Sequence, residues 1–143
     1  MKTPATPPPG GTGKGKPGQS NPIVDKTTAL TQINSSRKSS QARIVQLNAV
    51  IDIILEFEVD SKIKVVLTPK ERERSERTGI IQGFRYDRKR GWQLIFDNNG
   101  IQEHVTIDGK GYPASILELR LTDKGIELLD KNDGRAVVSI ERV

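Results

Sequence analysis

The stretch FRYDRKRGWQLIFDNNGIQEHVTI, residues 84–107, decides how the rest of the chain is read. It holds four of the six aromatic residues of the protein, with a run of basic residues between the two pairs. Alternating aromatic and basic residues suit a platform on which bases stack beside a phosphate-binding tip. They suit an ordinary hairpin with one apolar face equally well. Register separates the two readings. With a three-residue loop, Lys89-Arg90-Gly91, and Gly91 in the left-handed position such loops need, Arg88 faces Trp92, Tyr86 faces Leu94 and Phe84 faces Phe96. A four-residue loop would set Tyr86 against Gln93 and scatter the large residues over both faces. In the following hairpin, a two-residue Asn99-Gly100 loop pairs Phe96 with Glu103, Leu94 with Val105 and Trp92 with Ile107. The same face is apolar in both hairpins, and the opposite face is polar apart from Ile81 and Ile95. Phe84, Tyr86, Leu94 and Phe96 are therefore expected in the core, which leaves the tip, RKRGW, as the functional part.

The same grammar extends to the C-terminus. Apolar runs at 62–68, 79–87, 91–97, 101–108, 115–121, 125–130 and 136–143 are separated by KRG, NNG, GKGYP, TDKG and KNDG, all turn chemistry. Seven short strands at this spacing predict a mainly β domain, a small barrel, sandwich or meander. Upstream, Ile44, Leu47, Val50, Ile51 and Ile54 share a helical face, whereas LEFEVD (55–60) alternates as a strand does. The expectation is a helix of about ten residues, capped by Ser39 or Ser40, running into a strand. Thr68-Pro69-Lys70-Glu71 forms a capping box with proline at the first helical position, so PKERERSER reads as a short charged helix or ordered loop.

Residues 1–43 differ from the rest. They contain no aromatic residue, and six prolines and five glycines fall within the first 22 positions. Such a segment buries too little apolar surface to offset its ordering entropy. It is expected to be a disordered basic arm, with the folded domain at 44–143. Seven basic residues against Asp25 alone give this arm +6 of the net +5, so the remaining 100 residues sum to −1. Within those, residues 62–92 carry ten basic and four acidic residues, a second basic block. A basic arm with a basic patch is a common footprint of binding to nucleic acid or another polyanion.

The absence of cysteine excludes thiolate chemistry and a disulfide framework, and fits an intracellular, cytoplasmic setting. No apolar run reaches bilayer length, so no membrane partner is expected. GGTGKGKP (10–17) matches the spacing of a phosphate loop, but Pro17 stands where Ser or Thr would hold magnesium and no strand precedes it, so it reads as a basic linker. DKNDG (130–134) is one residue short of a calcium loop and reads as a hairpin turn. His104 is the single histidine, which rules out the usual histidine-based metal site. No nucleophile–base arrangement is recognisable, and neither catalysis nor a cofactor is expected.

The order KVVLT, charged connection, TGIIQGFRYD, GWQLIF resembles the first three strands of SH3-like small barrels. It is similar in particular to the Sm-like RNA-binding subgroup, through Gly79-Ile80-Ile81-Gln82-Gly83-Phe84 with Asp87 later. The resemblance covers about 35 residues and implies a barrel. Residues 87–91, DRKRG, lack the asparagine that Sm-like proteins place there, and the family's Arg-Gly near the last strands is absent, so ring formation and uridine binding are not implied.

Together these features lead to one functional expectation: a non-enzymatic nucleic-acid-binding protein, for DNA or RNA, of low sequence specificity. Arg85, Arg88, Lys89 and Arg90 on the hairpin and Lys14, Lys16, Arg37, Lys38 and Arg43 of the arm would contact phosphate, and Trp92 would stack. The alternative is a structural or adaptor protein whose residues 1–43 become ordered on a protein partner.

Overall fold

The computed structural model describes residues 21–36, 40–68, 73–113 and 116–143. Two helices come first. Helix α1, Lys26–Ser35, starts where the Asp25 carboxylate accepts a hydrogen bond from the Thr28 amide at 2.8 Å, and buries Ala29 and Ile33. The packed chain thus begins well before residue 44. Although the 1–43 segment is poor in apolar residues as a whole, Ala29 and Ile33 stand four apart and fall on one helical face.

Helix α2, Gln41–Glu56, is capped by Ser40, as the sequence suggests, and runs for 16 residues instead of ten. The strand expected at LEFEVD does not form. Phe57 fits both periodicities, since it is two residues from Leu55 and three from Ile54. Burial settles which one holds. Ile53, Ile54 and Phe57 are buried together while Leu55 is exposed, which is the helical pattern continued to the end of the helix.

Seven strands follow: β1 (Lys62–Leu67), β2 (Ser75–Asp87), β3 (Gly91–Asn98), β4 (Ile101–Thr106), β5 (Ile116–Leu121), β6 (Gly125–Asp130) and β7 (Ala136–Arg142). They form one antiparallel sheet in the order β4-β3-β2-β1-β7-β6-β5. Among the described residues β4 and β5 are its edges, so the sheet is open and the closed barrel is not realised. In PKERERSER, residues 69–72 lie outside the described residues, while Ser75–Arg77 belong to β2, paired with β1. The charges there alternate along a strand: Arg77 pairs with Glu103 and Arg74 with Glu76 across exposed surface.

β2 is the pivot. Its first half, residues 75–80, pairs with β1; its second half, from Ile80 to Asp87, pairs with β3, with a bulge between Ile81 and Gly83. The bulge turns Ile81, which strict alternation puts on the polar face, into the core. Ile81 still bonds to the Asp60 and Ser61 backbone just before β1, and beyond the bulge the β1 side of β2 is taken up by the segment before α1. Val24 exchanges two backbone hydrogen bonds with Phe84, at 2.7 and 2.8 Å, and Asn21 Nδ2 donates to the Tyr86 carbonyl at 2.9 Å. Gly83 permits this approach, since a Cβ there would run into the Val24 carbonyl. One hydrophobic cluster joins α1, α2 and both arms of the sheet, with Ile33, Leu47, Phe84, Leu94, Leu128 and Ile140 among its members.

Candidate nucleic-acid interface

The β2–β3 tip is built from its turn outward. Asp87 pairs with Gly91, so the three-residue loop is Arg88-Lys89-Arg90, one residue earlier than expected. Tyr86 therefore faces Trp92, and Phe84 faces Leu94. Because both pairings shift by two positions in the partner strand, the side-chain faces are unchanged. Gly91 takes the left-handed conformation, φ 78°. Asp87 Oδ2 accepts from the backbone N–H of Lys89 at 3.0 Å and of Arg90 at 2.8 Å. These bonds, the Arg90 one foremost, hold the Asp87 carboxyl below its ordinary value. The acidic residue beside the tip is thus occupied in closing the turn, and the side chains of Arg88, Lys89 and Arg90 are exposed. The second hairpin has the expected register, Phe96 with Glu103 and Leu94 with Val105, around the Asn99-Gly100 turn.

Behind the tip, Tyr86 and Trp92 meet edge to face, 5.7 Å between ring centroids at 62°. Trp92 is only 3% exposed. It belongs to the core with Phe84, Leu94 and Phe96, so an exposed stacking Trp92 is ruled out. In a domain with so few aromatics, the widest ring is used for packing. Tyr86 is half-buried, and its hydroxyl accepts from Lys110 Nζ at 2.7 Å, with the ammonium 5.1 Å from the ring centroid.

Lys110 is the basic residue that the sequence reading missed. It sits in a short 3₁₀ turn, Gly109–Gly111, and GKGYP looked like turn chemistry alone. The signal was present in the expected pairing of Trp92 with Ile107, which sets the residues after Ile107 beside the tip; the Ile107 amide does donate to the Trp92 carbonyl.

Arg43 is not an arm residue. Its Nη1 and Nη2 donate to Asp108 Oδ1 and Oδ2 at 2.6 and 2.9 Å, and Nη1 also reaches Gln46 Oε1 at 3.1 Å. The Asp108 hydrogen bond raises the Arg43 pKa further above its ordinary value. The Asp108 carboxylate is fully buried and accepts two more bonds, from the Trp92 and Lys110 amides, both at 3.0 Å. One carboxylate thereby ties α2, β3 and the 3₁₀ turn together directly behind the basic tip.

Arg85 lies on the opposite face of the hairpin. Its Nη2 makes a long 3.4 Å contact with Gln93 Oε1, and its Nε is buried without a hydrogen-bond partner among the described residues. His104 is on the same face. Burial, then the charges of Arg85 and Arg90, keep its pKa below the ordinary histidine value. Lys14, Lys16, Arg37 and Lys38 lie outside the described residues. Arg88, Lys89, Arg90 and Lys110 thus form one basic end of the sheet, with Arg85 on its flank.

On the Trp92 side, a groove of about 500 Å³ opens between the helices and the β2–β3 hairpin, lined by Gln32, Arg43, Leu47, Tyr86 and Trp92 among others. Among the described residues there is no cluster of three or more His, Asp or Glu placed to hold a metal, and no helix long and apolar enough to cross a membrane. No protein family, curated protein or solved structure matches the chain.

Proposed function

We propose that the protein is a non-enzymatic nucleic-acid-binding protein of low sequence specificity, and that the basic end of the sheet meets the phosphate backbone. Arg88, Lys89 and Arg90 supply the contact, and Lys110 adds a fourth cation. The observation that carries the reading is the tip itself: three consecutive exposed cations on a turn whose acidic residue is engaged by backbone amides. The turn fixes the backbone in advance, so binding orders only the side chains and not the loop. Neither base-edge readout nor discrimination between DNA and RNA is part of the reading. The SH3-like likeness is kept for the β1–β3 part of the sheet, where one long strand serves two neighbours.

The test is the salt dependence of binding. Replacing Arg88, Lys89 and Arg90 by alanine should reduce the slope of log affinity against log salt by about three on duplex DNA, with RNA assayed in parallel. Binding insensitive to salt, or none, would sink the proposal.

A structural or adaptor role is the second reading, favoured by the exposed apolar residues Val45 on α2 and Leu121 on edge strand β5. It predicts a protein partner retained by the triple-alanine variant and lost on deletion of residues 1–20, which leaves the packed Val24 segment and α1 in place.

A further inference from the structure

The groove beside the tip contains a feature the tip lacks. A guanidinium carries five N–H bonds arranged as two planar forks. Arg43 directs the fork made by Nη1 and Nη2 at Asp108, and gives the second Nη1 hydrogen to Gln46. The fork made by Nε and the outer Nη2 hydrogen has no acceptor among the described residues, and Arg43 lines the groove. A guanidinium already fixed on Asp108 is pre-organised for a second planar anion, and phosphate fits such a fork. The floor beneath it is apolar, from Val24, Leu47 and Trp92, and Gln32 and Tyr86 stand at the rim. The volume of about 500 Å³ lies in the range of small-molecule sites. Tyr86 is shared with the basic hairpin, so a strand held at the tip passes the mouth of the groove.

We propose that the groove seats one nucleotide of a single-stranded nucleic acid: the base enters between Gln32 and the half-buried Tyr86 ring, above the buried Leu47 and Trp92, and its phosphate occupies the second fork of Arg43. This rests on the phosphate-binding reading of the tip and makes it specific to single strands. A duplex holds its bases stacked inside and cannot offer one to the groove. The amide of Gln32, which can both donate and accept, suits the polar edge of any base, so the seat tolerates sequence.

Trp92 is the single tryptophan of the chain, and its fluorescence reports directly on this floor. The full chain is titrated with a 15-nucleotide oligothymidylate, a 15-nucleotide oligouridylate, a 15-base-pair DNA duplex and inorganic phosphate. Single strands should quench Trp92 and bind at least tenfold more tightly than the duplex. Gln32→Glu, an exposed change on α1 that sets a negative charge at the rim, should weaken single-strand binding more than duplex binding and so remove most of that tenfold preference. Salt-dependent binding with equal affinity for single strand and duplex and no quenching would overturn the groove proposal and leave the tip reading standing. Quenching by inorganic phosphate alone, as strong as by the oligonucleotides, would overturn it too, because the groove would then take an anion and not a nucleotide. Absence of binding to every nucleic acid would overturn the tip reading and the groove proposal together.

Discussion

Arg43 and Asp108, 65 residues apart in sequence, form a two-pronged ion pair at 2.6 and 2.9 Å, and the two backbone amides that also bind Asp108 make it the fixed point behind the basic tip. Removing one partner of a buried pair leaves an uncompensated charge, which costs far more than the intact pair contributes. Asp108→Ala should therefore lower the unfolding free energy by about 3–5 kcal/mol, read from urea denaturation. A loss below about 1 kcal/mol, the scale of an exposed pair, would show that the site is wetter than its geometry implies.

The segment before α2 belongs to the core because of two side chains. Ile33 is fully buried on α1, inside the cluster that also holds Leu47 and Phe84. Ile33→Ala should cost about 2–5 kcal/mol by lost transfer energy and the cavity left behind. The same substitution at the exposed Thr31, two residues away on the other side of the helix, should change stability by less than about 0.5 kcal/mol. Equal small effects at both positions would show that α1 contributes nothing to the folded state.

Gly83 sits where the chain before α1 lies against β2. A Cβ there would meet the Val24 carbonyl, which accepts the Phe84 amide at 2.8 Å. Gly83→Ala should push the Val24 segment off the strand at a cost of about 1–3 kcal/mol, as overpacking does. Amide exchange gives the sharper readout: Phe84 and Val24 should lose protection while Leu94, on the β3 side, keeps it. Uniform loss of protection would mean that the two regions do not open separately.

How much of this was legible depended on whether a residue's environment is local. The Asn99-Gly100 turn fixes its hairpin register by itself, so Phe96, Leu94 and their partners fell where the pattern put them. The loop of the first hairpin begins one residue earlier, and the pairing shifts by two positions, because Asp87, not Arg88, closes the turn through its carboxylate, and side-chain capping of that kind leaves no mark on apolar alternation. Trp92 could not be assigned from sequence, since an aromatic beside three cations looks alike whether its ring faces solvent or Tyr86. Arg43 was unreadable for a different reason. Its partner lies 65 residues further along the chain, and nothing in QARIVQ distinguishes an arginine that will meet a buried carboxylate from one on a solvated face.

His104 offers a pH test of the basic surface. In the folded chain its pKa lies below the ordinary 6.5, first because of burial and then because of Arg85 and Arg90. A depressed histidine pKa means that the unfolded chain takes up the proton first. Stability should therefore be full above about pH 7, decline as pH falls through 6.5, and level off once pH is below the folded pKa. His104→Gln should flatten that decline. Bound phosphate neutralises part of the Arg90 field and favours the imidazolium, so a polyanion should raise the His104 pKa, and by linkage its own affinity should increase as pH falls through the His104 pKa of the complex. Proton NMR titration of the imidazole with and without a 15-nucleotide oligothymidylate measures both effects. A His104 pKa unmoved by a strand that is bound would place that strand away from Arg90, and the basic tip would lose its role.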